Sequence, residues 1–483
     1  GLGFAAGPAP ANWPQFRGPN ASGVAAEARP PVHFGTDTNL LWKTAVPAGI
    51  SAPVVWGDRV FLTGLAGNQL VTLAYDARSG EELWRQVAPA ERIEECHQFS
   101  SPAAPTPCTD GERVYAYFGS FGLIAYDFGG REIWRRAMER LPSKYGTASS
   151  PILADGRLIL QHDGDSTNAS LVALSPATGR LEWQSWRTRA GAAYSTPMVW
   201  RQDGRAELIV QGKGRVAAYA LEGGEPKWWV RGWGGDAAVT TPVAGAGMLF
   251  VGGSGMGDPS EPDEPLFNWQ KLLADLDANR DGQLALNEVP ESLIWHIRKE
   301  VPKEVPGNLL RLRDLLQWFT DANKDQLITK AEWDADEAYV KDKFNADRFV
   351  GIRPGGQADS TETHVTWETT KGLGEMPSAL FYQGRLHFVR DGAMWTVIEP
   401  QTGSRLLDRE RLGIGGQIVA SPVAANGHIY VVNGSGTFAV LRAGDTLDVA
   451  AVNKLGESVR TTPAIADNVL FVRSTGHLWA FGR

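Results

Sequence analysis

Eight times along the chain a small residue and Pro lead into an apolar strand, a turn with Gly and a second apolar strand, with a Gly turn and Trp further on. The clearest copy opens at Ser150-Pro151-Ile152-Leu153-Ala154-Asp155-Gly156-Arg157-Leu158 and closes on Thr178-Gly179-Arg180-Leu181-Glu182-Trp183. In six copies Pro stands seven residues before an apolar anchor: Pro53–Val60, Pro107–Val114, Pro151–Leu158, Pro242–Leu249, Pro422–Ile429 and Pro463–Leu470. Pro197 opens a copy with a longer turn, and Ala379 takes the Pro place before Leu386. The eight openings lie 54, 44, 46, 45, 137, 43 and 41 residues apart. Each copy predicts four strands, and strand content at a period of about 45 residues predicts radial repetition. The expected fold is all-β, an eight-bladed β-propeller.

Trp84, Trp134, Trp183 and Trp228 each fall four residues after Gly80, Gly130, Gly179 and Gly224. A large flat ring repeated there is expected to wedge between neighbouring blades. The last copy ends at Leu478-Trp479-Ala480-Phe481 without its Gly–Trp strand. Asn39-Leu40-Leu41-Trp42-Lys43 supplies that strand from the other end of the chain, so the N-terminal strand is expected to close blade eight. Closure removes the free edges of an open sheet.

The fifth copy is split. After Leu249-Phe250-Val251-Gly252-Gly253 the strand period gives way to a helical one, and strands resume near Arg348-Phe349-Val350-Gly351-Ile352. The predicted organisation is an N-terminal extension (1–38), the first part of the propeller (39–255), an α-helical insertion in the fifth blade (256–344), and the second part (345–483). Inside the insertion, Asp277-Ala278-Asn279-Arg280-Asp281-Gly282-Gln283-Leu284-Ala285-Leu286-Asn287-Glu288 matches the EF-hand calcium loop at its diagnostic positions. Calcium takes six to eight hard oxygens, which alternate positions of such a loop supply. The expected ligands are Asp277, Asn279, Asp281, the Gln283 carbonyl and Glu288, with a water at Ala285. A second loop, Asp321 to Glu332, offers Asp321, Asn323, Asp325, the Leu327 carbonyl, Thr329 and Glu332. Gln326 stands where Gly is expected, and a left-handed backbone there costs a residue with a Cβ roughly 1 kcal/mol. Two calcium sites are therefore expected, the second weaker.

Charge sharpens this division. The net charge of −8 is carried by residues 256–344, with 19 Asp/Glu against 11 Lys/Arg, and the remainder is neutral. That balance excludes a nucleic-acid footprint. No run of 18 apolar residues predicts a transmembrane helix. The opening Gly1-Leu2-Gly3-Phe4-Ala5-Ala6-Gly7 lacks Met and reads as the end left by signal-peptide removal, so an exported, periplasmic or extracellular protein is expected. In that setting Cys96 and Cys108 are expected to form one disulfide across a long loop, two separate thiols being the alternative.

The repeated blades, with Trp13-Pro14-Gln15-Phe16-Arg17-Gly18-Pro19, Ile352-Arg353-Pro354-Gly355-Gly356 and Gly476-His477-Leu478-Trp479-Ala480-Phe481-Gly482, resemble the pyrroloquinoline-quinone-like propeller repeat family. They look most like an exported bacterial branch with an EF-hand insert. Two kinds of relative diverge in what they imply. Quinoprotein alcohol dehydrogenases bind the quinone with calcium over the channel mouth, between a Trp and a disulfide of adjacent cysteines. Cys96 and Cys108 are not adjacent, so that quinone site is not carried over and no quinone cofactor is expected. The outer-membrane-protein assembly lipoprotein of the same fold is a scaffold. The reading for this chain is an exported calcium-binding propeller acting as a binding or scaffold module. A glycan-binding or glycan-cleaving propeller and a quinone-dependent oxidoreductase are the alternatives. No catalytic constellation is identified. An unknown protein or glycan ligand is expected at the channel-mouth face, whose long connectors carry His97, Lys144, Tyr145, Tyr194, Trp233 and Asp236. Packing of these rings among the loops is the competing role.

Overall fold

The computed structural model describes residues 12–143, 145–164, 168–187, 193–212, 214–233, 238–253, 268–296, 309–321, 323, 325–335 and 348–483. The chain divides into two compact units, Gly1–Met256 with Ala346–Arg483, and Gly257–Asn345. The first is an eight-bladed β-propeller.

Blade one shows how the repeated phrase folds. Its strands Val54–Trp56, Arg59–Ala66, Gln69–Asp76 and Glu82–Val87 pair in sequence order, all antiparallel. The two middle strands are buried almost continuously, because both faces are covered by neighbouring blades. The outer strand alternates, with Trp84 turned inward between exposed neighbours. Blade four gains a fifth, parallel strand, Ala358–Asp359, along the edge of Pro226–Trp233. Blade five is built from Val243–Gly245, Met248–Gly253, Arg348–Ile352 and Val365–Thr369, so residues 254–347 separate its second and third strands. Blade eight takes Ala464–Ala466, Val469–Arg473 and His477–Phe481 from the C-terminus. Leu40–Ala45 pairs beside His477–Phe481, with Trp42 opposite Ala480, and closes the ring as expected.

Two repeated contacts join the blades. The recurrent Trp rings lie between blades: the indole N–H of Trp42, Trp84, Trp134 and Trp183 donates to the carbonyls of Ala77, Phe128, Pro176 and Leu221 at 2.8–3.0 Å. A Cβ at Gly80, Gly130, Gly179 or Gly224 would collide with that same ring, and each of these glycines has φ near +70 to +90°. Glycine therefore serves there both for close approach and for the left-handed turn.

The second contact explains the small residue before Pro. In seven of eight copies it is Ser or Thr, and in six of these, Thr241 being the exception, its hydroxyl accepts the N–H of its counterpart in the preceding blade. Six such bonds, from Ala52 to Thr106, Thr106 to Ser150, Ser150 to Thr196, Thr241 to Ser378, Ser378 to Ser421 and Ser421 to Thr462, measure 2.9–3.2 Å. The eighth blade meets the first at Ala52, which has no hydroxyl. There Arg473, fully buried, reaches from blade eight to the Ser51 hydroxyl (2.7 Å) and to the carbonyls of Ser51 (3.2 Å), Thr63 (2.8 Å) and Pro47 (2.9 Å). Burial pulls its guanidinium down to about 10, which leaves it charged at neutral pH.

The N-terminal extension crosses the ring. Trp13 exchanges two main-chain bonds with Val55, Pro14 accepts from Thr109, and Asn20 bonds both main-chain groups of Val199. Arg17, fully buried, donates to Ala21, Ser378 and Ala379, while Gly23 and Ala25 bracket Ala424 and Arg29 meets Asn468. The segment thus bonds to blades one, two, four, six, seven and eight. Apart from Arg17, which reaches Ser378 and Ala379 just before the first strand of blade six, these contacts fall on the first strands or in the first hairpin turns, on the face of those turns. It lies across the axis on that face.

The second unit has its own core of Trp269, Leu272, Leu284, Leu286, Val289, Leu312, Leu316 and Ile328. Helix Trp269–Leu276 is capped by Asn268, whose side chain accepts the Gln270 N–H at 2.9 Å. Leu284–Ala285 pairs antiparallel with Leu327–Ile328, and Ile294–His296 with Leu309–Arg311.

Candidate functional site

On the propeller, His97, Tyr145 and Tyr194 come together although three different connectors supply them. The His97 and Tyr145 ring centroids are 5.2 Å apart and those of Tyr145 and Tyr194 5.6 Å, both edge to face. Phe99, which sequence reasoning did not single out, extends the row 5.2 Å from His97, and the Arg460 guanidinium stands 5.8 Å from its ring. The Tyr194 hydroxyl lies 3.1 Å from that of Ser143. These rings engage one another, which is the geometry of loop packing. Lys144 and Asp236 lie outside the described residues, as does the side chain of Trp233, whose backbone ends the strand Pro226–Trp233.

Two acidic groups near these connectors were not legible in the sequence. Asp163 is buried in the loop after the second strand of blade three. It accepts from Gln161 Nε2 at 2.7 Å and pairs with Arg187 at 3.4 Å, both side chains almost fully covered. Burial pushes its carboxyl up, against the opposing pull of Arg187. Glu94, also buried, accepts the Thr147 hydroxyl at 3.1 Å and is likewise pushed up by burial. One oxygen of each carboxylate has no hydrogen-bond partner.

The expected disulfide is absent. Cys96 and Cys108 are free thiols. Cys108 opens the first strand of blade two and is wholly buried against Tyr115, Tyr117, Leu123 and Trp134, facing blade three. Cys96 sits in the connector, against Gly146. Burial raises both thiols, Cys96 to about 12, so neither is a reactive thiolate. A spacing of twelve residues did not reveal that one cysteine was committed to the core between blades.

In the second unit, the two twelve-residue loops stand back to back. Their eighth residues, Leu284 and Ile328, are paired across the short ladder, and Leu286 N–H donates to the Gln326 carbonyl at 2.9 Å. Both sixth residues are left-handed, Gly282 at φ 81° and Gln326 at φ 69°. In the first loop, Asp277 accepts from Asp281 and Gly282 N–H, Asn279 from Asp281, and Asp281 from Gln283. Glu288 at position twelve accepts from Ala278, Asn279 and Ala285 N–H, which ties the loop's end to its start. The second loop repeats this with Asp321, Asn323 and Asp325 accepting from Gln326, Asp325 and Leu327. Glu332 accepts from the Thr329 N–H and hydroxyl. One difference stands out: Asp321 is buried, and its Oδ1 has no hydrogen-bond partner. Among the described residues no three carboxylate, imidazole or thiol side chains form a metal-holding group. The loops combine two Asp and one Glu each with Asn and main-chain oxygens.

With the fold in place, comparisons place it among known propellers. Residues 32–144 and 67–231 match the family model described as outer membrane protein assembly factor BamB. Of solved structures, BamB from Moraxella catarrhalis superposes with a TM-score of 0.54 at 11% identity, over 92% of this chain and 99% of that one. A europium-containing methanol dehydrogenase gives 0.57 at 10%, over 98% of both. Quinohemoprotein alcohol dehydrogenase from Comamonas testosteroni gives 0.54 at 11%, over 98% of this chain and 80% of that one. These likenesses concern the fold alone. No curated protein matches the sequence.

Proposed function

We propose that the chain is an exported, calcium-binding β-propeller that acts as a binding or scaffold module. The observation that carries the calcium part is the pairing of two twelve-residue loops with EF-hand ligand spacing and a left-handed sixth residue in each. Asp277, Asn279, Asp281 and Glu288 with the Gln283 carbonyl would hold one ion. Asp321, Asn323, Asp325, Thr329 and Glu332 with the Leu327 carbonyl would hold the other. The buried Asp321 oxygen fits this donor set, since a cation supplies the partner it has none of within the protein. The bound ion contributes charge that neutralises clustered carboxylates and fixes the loops.

The module role rests on the shared fold with BamB and on the connector face, with the opposite end of the axis crossed by residues 13–29. Calorimetric titration of the full chain with calcium tests the first part, and Glu288→Gln with Glu332→Gln should abolish the heat. Pull-down from a bacterial envelope, with Tyr145→Ala and His97→Ala as controls, tests the second. Capture that is indifferent to both substitutions would remove the connector face from the proposal.

A further inference from the structure

The sequence makes the second loop look like the weaker calcium site, because Gln326 replaces Gly. The geometry of the first ligand position favours the opposite order. We propose that the second loop, Asp321 to Glu332, is the tighter of the two sites and fills first; this rests on the calcium reading above.

The difference lies at the first ligand position. Asp277 is half-buried, and each of its oxygens accepts a main-chain N–H, Oδ1 from Asp281 at 3.3 Å and Oδ2 from Gly282 at 3.0 Å. Asp321 is buried to 1% exposure, and only Oδ2 is engaged, by Gln326 N–H at 3.0 Å. Its Oδ1 is enclosed with no donor. A buried carboxylate oxygen left without a partner is a standing penalty that a bound cation relieves, and relief of that kind adds to affinity. Asp277 has no such penalty to release. Position nine points the same way: the second loop presents the Thr329 hydroxyl there, bonded to Glu332 Oε2 at 2.9 Å, where the first has Ala285. The Gln326 penalty does not restore the sequence-based order. Its left-handed backbone is already part of the folded loop, held by its N–H on Asp321 and by its carbonyl on Leu286. That strain lowers the stability of the insert in both ligation states and drops out of the binding difference.

The test is titration of the full chain with calcium, and in parallel with terbium. Trp269 and Trp333, with ring centroids 5.6 Å apart in the core of the insert, serve as sensitisers. Two steps separated by about tenfold are expected. Asp321→Asn should remove the tighter step and leave the weaker, while Asp277→Asn should do the reverse. Glu332→Gln and Glu288→Gln form a second pair that reads the same assignment should an Asp variant fold poorly, and circular dichroism reports on folding. Loss of the tighter step in Asp277→Asn and Glu288→Gln overturns the order while leaving calcium binding intact. Absence of calcium heat and of sensitised terbium emission in the unsubstituted chain overturns the calcium reading itself.

Discussion

Arg473→Met should open the ring at the junction between blades eight and one. Six of the other junctions carry a hydroxyl acceptor beside the axis, each worth about 1 kcal/mol as a neutral hydrogen bond. The closing junction has Ala52 at that place and relies on four bonds from one buried guanidinium. Bonds from a charged donor contribute about 2 kcal/mol each. Against them stands the burial of the cation, which lowers its pKa from 12.5 to about 10 and so costs about 3 kcal/mol. The balance is a loss of about 4–5 kcal/mol on substitution, because the Pro47 and Ser51 carbonyls also lose a buried donor. Urea unfolding followed by Trp fluorescence measures it, with Thr106→Ala as the single-bond reference at about 1 kcal/mol. If Arg473→Met lies within 1 kcal/mol of Thr106→Ala, the guanidinium does not replace the missing hydroxyl, and the closing strand Leu40–Ala45 alone holds the junction.

Other consequences can be checked the same way. His387 is buried against Trp395, and desolvation lowers its imidazole from 6.5 to about 4. The folded protein keeps it neutral while the unfolded chain protonates, so about 3 kcal/mol of stability, fully present above pH 6.5, is lost as the pH falls to 4. His387→Phe should flatten that limb of a stability–pH curve, and an unchanged limb would disprove the assignment. Glu94 has the opposite sign. Burial raises its carboxyl, so it favours the folded state at low pH and this contribution is lost as the pH rises through the raised value. Glu94→Gln should therefore stabilise the protein at neutral pH relative to acid, read by melting at pH 4 and 7. Finally, chelation of calcium should loosen the unit Gly257–Asn345 and leave the ring folded, since that unit has a core of its own. Hydrogen exchange resolves the two, and a single cooperative collapse would contradict it.

The fold was legible because the repeat encodes contacts that recur between blades. The Gly-to-Trp spacing places a ring against the next blade's turn, and the residue before Pro carries the hydroxyl that joins neighbouring inner strands. The connector residues His97, Tyr145 and Tyr194 were legible as a group because one topological position in successive repeats ends on one face. Glu94, Asp163 and Arg187 were not, since an acid or base in a polar loop gives no sign that ring closure will bury it. Nor does the sequence signal that Arg17 and Arg473 are fully enclosed. Cys108 was misjudged because pairing was inferred from number and spacing, while its place on an inner strand, turned toward blade three, decided its partners.

The two ends of the propeller axis are unequal, and this narrows where a partner can act. At the end carrying the first hairpin turns, residues 13–29 bond to six blades through main-chain groups, the Asn20 side chain and Arg17, whose guanidinium donates to three carbonyls. Burial lowers that guanidinium to about 9, yet it stays cationic at neutral pH, so displacing the segment would leave those carbonyls without their donors. An occupant of that end would have to outcompete a covalently tethered segment. Among the described residues, the opposite end is bordered by connectors bearing aromatic, acidic and basic groups from different blades, which engage one another. A partner of the proposed module is therefore expected at the connector face, where it would not have to displace that segment.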